Sequence, residues 1–130
     1  MAKRKIEVSV GMAAVEDVLA GESARGTVAT AVRFLLEELA ALAPGATVEM
    51  RVPPFGATQC VAGPRHTRGT PPNVIETDPQ TWIALAVGAL DWEEAKRRAL
   101  LTASGSRADL SMLLPLVRVS PGIPRDSLRE

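Results

Sequence analysis

The spacing of apolar residues predicts a long amphipathic helix in the first third of the chain. Between Ser23 and Ala43, apolar positions recur at steps of three and four residues, and Pro44-Gly45 ends the pattern. The apolar stripe consists of Val28, Ala31, Val32, Leu35, Leu39 and Leu42. Phe34 and Leu36 widen this stripe, which is typical of a helix that supplies a broad part of the core or one wall of a ligand cavity.

A two-residue rhythm follows the helix and predicts strands. Val48, Met50 and Val52 alternate with polar residues, and a second β-like run covers residues 57–62 after a turn at residues 53–56. Two successive prolines lie in that turn, where their missing N–H groups cost no ladder hydrogen bond. The two runs therefore predict an antiparallel hairpin, and a third short strand is expected over Asn73–Thr77.

The next segment carries two helix starts. Asp78-Pro79 can cap a helix that runs to Val87 and stops at Gly88, because aspartate accepts free backbone N–H groups and proline suits the first helical position. The inward face of this helix is predicted to hold Trp82, Leu85 and Ala86. A second start follows at Asp91, where Glu94 has capping-box spacing. The neighbouring Trp92 is expected to face the surface or to pack at the hinge.

The last predicted elements are a strand and a helix. A strand is expected over Ala99–Ser104, followed by a helix that starts between Ser106 and Asp109 and ends at Pro115. The apolar face of that helix would consist of Leu110, Leu113 and Leu114. This order predicts an α+β fold, with a small and mainly antiparallel sheet covered by helices, rather than a doubly wound parallel sheet.

Length and composition point to one domain with its own core. The chain has 130 residues, of which 46% are hydrophobic, so it can bury roughly two thirds of its unfolded surface. Residues 1–22 are expected to form an N-terminal extension with a possible short helix at Met12–Leu19. Residues 23–118 would form the domain, and residues 119–130 a flexible tail. One cysteine and no signal-like apolar core at the start indicate the cytoplasm.

Charge and hydropathy exclude two kinds of partner. Acidic and basic residues balance to a net charge of zero, and aromatic residues make up only 3% of the chain, so nucleic-acid binding is not expected. No apolar run approaches the length of about 20 residues that a membrane span requires, so stable membrane insertion is not expected either. The sequence identifies no protein partner.

One loop departs from the overall charge balance. Between Met50 and Ile75 the chain carries Arg65, His66 and Arg68 but no acidic residue, and prolines and glycines restrict its backbone. The basic side chains could brace the loop through backbone carbonyls and nearby carboxylates. They could equally clamp the phosphate or carboxylate of a ligand at a cavity mouth. Both interpretations stay open at the level of sequence.

Catalytic and metal chemistry find little support in the residues. Cys60 and His66 could suggest a thiol–imidazole pair, but Cys60 lies in an apolar run typical of a buried, inert thiol. One Cys and one His do not approach the ligand set of a zinc site. Glu93 and Glu94 are adjacent and point to different faces of a helix. We therefore expect no catalytic residue, no metal and no cofactor.

Two motifs carry a resemblance to a known family. The stretches Val52-Pro-Pro-Phe55 and Gly63-Pro-Arg-His-Thr-Arg-Gly-Thr-Pro-Pro-Asn73, with the helix start at Asp78 and the turn at Gly105, resemble the sterol carrier protein family. The match looks closest to its short bacterial members and covers about residues 25 to 118. The resemblance implies a small sheet covered on one side by helices. It also implies an apolar cavity that holds a lipid or fatty-acyl chain.

The resulting hypothesis is a non-enzymatic lipid or fatty-acyl carrier. Eight apolar residues are candidate walls for the ligand: Val32, Leu35, Leu36, Leu39, Trp82, Leu85, Leu113 and Leu114. Trp82 could also be a core anchor without ligand contact. The alternative is a folded adaptor whose core is filled by its own side chains. Such an adaptor would dock a protein partner through the basic loop from Arg65 to Asn73.

Overall fold

The computed structural model of the protein describes residues 5–63 and 73–119, and the order of elements confirms the predicted α+β class. Helices precede the sheet, lie between its strands in sequence and pack on one of its faces. The elements are α1 (Val8–Leu19), α2 (Arg25–Leu42), β1 (Val48–Val52), β2 (Gly56–Cys60), β3 (Asn73–Thr77), α3 (Pro79–Val87), α4 (Trp92–Arg97), β4 (Leu101–Ser104) and a short 3-10 turn (Ser111–Leu113).

The four strands form one mixed sheet in the order β2-β1-β3-β4. β1 and β2 form the predicted antiparallel hairpin, in which Val48 lies opposite Cys60 and Val52 opposite Gly56. β3 runs parallel to β1 on its other side, and β4 pairs antiparallel with β3. Two of the three pairings are therefore antiparallel, in agreement with the expected sheet.

The two faces of the sheet differ in polarity because successive side chains of a strand point to opposite sides. On β1, Val48, Met50 and Val52 are completely buried beneath the helices. Glu49 and Arg51 lie on the opposite face, where their side chains form an ion pair of 2.7 Å. In the part of the chain that the structure describes, the buried apolar residues of β1 therefore lie on the face that the helices cover.

Helix α1 packs against α2 through a close contact at a glycine. α1 begins at Val8, four residues earlier than the sequence pattern suggested, and Val15 and Leu19 belong to the core. A Cβ atom added to Gly11 would overlap the ring of Phe34, which is itself buried. The first helix thus packs on the domain core.

Helix α3 begins and ends where the sequence predicted. The Asp78 carboxylate accepts the Thr81 backbone N–H at 2.8 Å, and Gly88 ends the helix with a φ of +83°. All residues from 81 to 87 are buried, so α3 is covered on every side. Part of this cover is the C-terminal segment, because the Leu116 N–H donates to the Ala86 carbonyl at 2.8 Å.

Four details of the predicted elements differ in the structure. The helix expected before Pro115 is only the 3-10 turn Ser111–Leu113, since few residues separate Asp109 from a proline that also disfavours helical geometry at the residue before it. β4 starts two residues later than expected, after Ala99 with a φ of +55°. Trp92 is only 4% exposed and does not face the surface. At the end of α2, Leu42 is 57% exposed and lies outside the apolar stripe.

Candidate functional site

Six of the eight predicted ligand walls belong to the hydrophobic core, and four of these six are completely buried. The four residues that expose none of their surface are Val32, Leu35, Leu39 and Trp82. The Trp82 indole N–H donates to the Val32 carbonyl at 3.3 Å, so the polar end of this side chain has a partner inside the protein. This hydrogen bond joins α3 to α2.

Leu36 lines a surface groove between α2 and the edge of the sheet. This helix–sheet groove has a volume of about 560 Å³, which lies within the range of about 300 to 1,000 Å³ usual for small-molecule sites. Its lining consists of Lys5, Ile6, residues 55–58, and the α2 residues Thr30, Arg33, Leu36, Glu37 and Ala40. An apolar floor and both signs of charge are therefore present in one groove.

Two arginines hold Phe55 at the side of the groove. The Arg33 Nε–H donates to the Phe55 carbonyl at 2.8 Å, and the Arg25 guanidinium lies 5.1 Å from the centre of the Phe55 ring. A cation at this distance from an aromatic face is attracted to it. The turn between β1 and β2 is thus fixed against α2, which keeps the groove wall in place.

The N-terminal segment closes one end of the helix–sheet groove. The Glu37 carboxylate accepts the backbone N–H of Lys5 at 3.2 Å and that of Ile6 at 3.1 Å. Ile6 is half-buried and packs against the core. Sequence reasoning did not include Lys5, Ile6 or Glu37 in the site, because only the tertiary structure brings residue 5 beside α2.

The remaining predicted walls are Leu85, Leu113 and Leu114. Leu85 and Leu114 line a second pocket of about 360 Å³ between the end of α3, the start of α4 and the segment 111–115. Leu113 precedes Leu114 in the chain, is half-buried and packs against the core. We name this the Trp92 pocket, after the aromatic side chain in its wall. The eight predicted walls are therefore divided among the core and two pockets.

The basic residues Arg65, His66 and Arg68 lie outside the described residues, so their role stays a prediction. The residues on either side of this loop, Gly63 and Asn73, both lie next to Thr47 at one corner of the sheet. The Asn73 amide donates to the Thr47 carbonyl at 2.9 Å, and its Oδ1 accepts the Arg107 N–H at 2.8 Å.

The side chain of Arg107 also reaches this corner. A Cβ atom added to Gly63 would lie 2.7 Å from a terminal nitrogen of Arg107 and would overlap the Thr47 hydroxyl. Glycine at position 63 therefore leaves room for the guanidinium beside the start of the basic loop. Arg107 follows β4 and is more than forty residues from Gly63 in the chain, so no sequence pattern indicated that it lies at this corner.

Cys60 lies at the end of β2 and is completely buried. Burial raises the pKa of its thiol from 9.0 to about 11 because the charged thiolate is poorly solvated there. A thiol with a raised pKa is a weak nucleophile at neutral pH. Among the described residues, no cluster of three or more His, Cys, Asp or Glu side chains could hold a metal ion.

The raised pKa of Cys60 predicts a loss of stability in alkali. An unfolded chain releases this proton from about pH 9, whereas the folded protein keeps it until about pH 11, so the stability of the fold decreases between these values. At pH 10 the loss is about 1.4 kcal/mol relative to neutral pH. Urea unfolding at pH 7 and pH 10 should show this loss of stability for the wild type and not for Cys60→Ala. The same change in the free energy of unfolding for both proteins between these pH values would contradict the prediction.

The geometry defines an α+β domain with a mixed sheet and one helical layer, and the helix–sheet groove and the Trp92 pocket lie beside that layer. Among the described helices, none has both the length and the apolar character needed to cross a bilayer. The family model described as bacterial SCP ortholog matches residues 24–116, more than half of the chain. The protein therefore belongs to this short bacterial, sterol carrier protein-like family. No curated protein matches the chain.

Proposed function

We propose that this protein is a non-enzymatic cytoplasmic carrier that holds a fatty-acyl or similar lipid chain in the helix–sheet groove. The observation that carries this proposal is the groove itself, which lies where a helix meets the sheet in a member of a carrier-like family. Its apolar lining includes the half-buried Phe55 and the buried Leu36 and Ala40. The groove needs no catalytic group to perform this function.

The size of the groove suits a single acyl chain. A cavity of 150 Å³ accommodates benzene, so 560 Å³ corresponds to about twenty carbon atoms at the same density. Each CH₂ group removed from water contributes about 0.8 kcal/mol, and ten of them contribute about 8 kcal/mol before the cost of ordering the ligand. Since about 8 kcal/mol corresponds to a Kd of about 1 µM before that cost is subtracted, a chain of this length should bind with a Kd in the micromolar range or weaker.

The cationic residues suggest where a head group would bind. Arg33 and Lys5 line the groove, and Glu37 already accepts two backbone N–H groups. We further propose that Arg65 and Arg68 clamp an anionic head group of the ligand. A comparison of dodecanoate with dodecanol would reveal whether the ligand uses charge, since only the carboxylate forms charge-assisted hydrogen bonds.

Two neighbouring positions on β2 provide a sharp test of the groove. Thr58 is half-buried and lines the groove, whereas Gln59 is exposed on the opposite face of the same strand. Tryptophan is well tolerated in strands, so both substitutions should preserve the fold. Thr58→Trp should weaken binding of dansylaminoundecanoic acid at least tenfold by filling the groove, and Gln59→Trp should change it less than twofold. Dansyl fluorescence titration measures both.

The results separate the location of the ligand from its existence. Saturable binding by the wild type together with equal affinities of the two variants would place the chain elsewhere. Absence of saturable binding by the wild type up to the solubility limit would contradict the carrier proposal. Native mass spectrometry of freshly purified protein offers independent support through a co-purifying lipid.

A second candidate is an adaptor that binds a protein through the Arg65 to Asn73 loop. The complete burial of Val32, Leu35 and Leu39 favours it, because these side chains already have core neighbours. An adaptor should purify without lipid and should bind no acyl probe. It should instead lose a protein partner when Arg65 and Arg68 are replaced by glutamine.

A further inference from the structure

The indole N–H of Trp92 stands out among the buried polar groups of the protein. Its Nε1 has less than 1 Å² of exposed surface and no hydrogen-bond partner among the described residues. The whole side chain is only 4% exposed. A buried donor without an acceptor costs free energy, and such a donor in a native protein calls for an explanation such as a bound molecule. Trp82, in contrast, donates to the Val32 carbonyl.

Trp92 is also part of the wall of the second pocket. The wall combines Leu85 and Leu90 from one side with Leu114 and Pro115 from the C-terminal segment. At the density of benzene in a 150 Å³ cavity, the 360 Å³ of this pocket correspond to about fourteen non-hydrogen atoms. An apolar pocket of this size, with a residue in its wall that carries an unpaired donor, has the composition of a small-molecule site.

The charges at the pocket restrict the chemistry of its ligand. Asp91 and Glu93 are exposed and line the pocket, whereas no lysine or arginine does so among the described residues. Asp91 already accepts the Glu94 N–H at 2.7 Å as the cap of α4. Two carboxylates repel an anionic ligand. A neutral oxygen, such as that of a ketone, ester or alcohol, can accept the indole N–H without this repulsion.

We propose that the Trp92 pocket binds a small apolar molecule with a neutral oxygen acceptor, and that the Trp92 indole N–H donates to this oxygen. The site is separate from the helix–sheet groove and does not depend on the function proposed for it. The two pockets share no lining residue.

Ligand access requires a small movement of the pocket wall, since Nε1 has almost no exposure. The segment from Leu113 to Pro115 can provide it, because its side chains are half-buried or exposed. This segment is held to α3 by the backbone N–H groups of Leu116 and Val117, which both donate to the Ala86 carbonyl. These two bonds follow the wall residues directly in the chain, so the movement is limited to the residues before Leu116.

Three probes of matched size test the chemistry: 4-phenylbutan-2-one, butylbenzene and 4-phenylbutanoate. The protein contains two tryptophans, so a ¹⁵N-labelled sample gives two indole signals, and the paired N–H of Trp82 serves as an internal control. We expect the ketone to shift the Trp92 signal in a saturable way and to leave that of Trp82 in place. The carboxylate should bind at least fivefold more weakly. If the chemical shift of the Trp92 indole does not change up to the solubility limit of the ketone, the proposal is wrong.

Trp92→Phe removes the donor and keeps an aromatic ring in the wall. The affinity for the ketone should fall about fivefold to tenfold, as expected for one lost hydrogen bond, while that for butylbenzene should change less than twofold. Equal losses for both probes, or an unchanged affinity for the ketone, would disprove the assigned role. If this variant does not fold, the titration of the wild type with the ketone, followed by the Trp92 indole signal, tests the proposal. Thr58→Trp should bind the ketone like the wild type, which distinguishes this site from the groove.

Discussion

Replacement of Gly11 by alanine is expected to lower the free energy of unfolding by about 3 kcal/mol. The added Cβ would overlap three atoms of the Phe34 ring, and this ring is 1% exposed and cannot move into solvent. Forcing extra atoms into a packed interface displaces side chains or backbone, at a cost of typically 1 to 3 kcal/mol or more. The helix α1 would have to separate from α2 to relieve the overlap. Urea unfolding followed by circular dichroism measures the loss.

Gly26 provides the matched control for this substitution. It lies in α2, is exposed, and an added Cβ would meet no atom within 4 Å. Because alanine has the higher helix propensity, Gly26→Ala should leave the stability unchanged or raise it by up to about 1 kcal/mol. If Gly11→Ala were as stable as Gly26→Ala, the close contact between the two helices would be refuted.

Truncation of Trp82 to alanine is expected to cost about 3 to 5 kcal/mol of stability. The side chain is completely buried, so its removal loses apolar burial and leaves a cavity. The Val32 carbonyl would lose the indole N–H as well. Trp82→Phe keeps most of the ring volume and should cost clearly less. Denaturant unfolding of the three proteins gives the comparison.

The same variants decide between the two roles predicted for Trp82. If Trp82 is a core anchor, the folded fraction of Trp82→Phe should bind the dansyl probe like the wild type. A selective change in probe affinity with little loss of stability would instead assign Trp82 to a ligand wall. This outcome would move the carrier site from the helix–sheet groove to the space between α2 and α3.

Much of the fold could be predicted because its signals are local. Asp78-Pro79 and Gly88 bound α3 in the sequence and in the structure, since capping and a left-handed end depend on neighbouring residues. The alternation from Val48 to Val52 likewise predicted a strand with one buried face. Local hydrogen bonding and side-chain periodicity determine such elements almost independently of the remaining chain.

Other features depended on contacts between distant residues. The segment after the 3-10 turn is attached to α3, because the Leu116 N–H donates to the Ala86 carbonyl, and the spacing of apolar residues did not reveal this contact. Trp92 is buried by the same arrangement of segments, whereas its position beside a helix cap was compatible with either the surface or packing at the hinge. The spacing of the apolar residues before Pro115 alone did not distinguish the face of a helix from an extended segment that packs on α3.

The candidate site shows the same division. The sequence by itself determined that α2 is broadly apolar, that a basic loop precedes β3, and that the chain resembles a carrier family, because composition, spacing and motifs are properties of the chain. Only the tertiary structure decided that Leu36 lines a groove while Leu35, its neighbour in sequence, is buried in the core. The physical reason is that a groove forms where two surfaces fail to close against each other, as α2 and β2 do here, and no single segment encodes that gap.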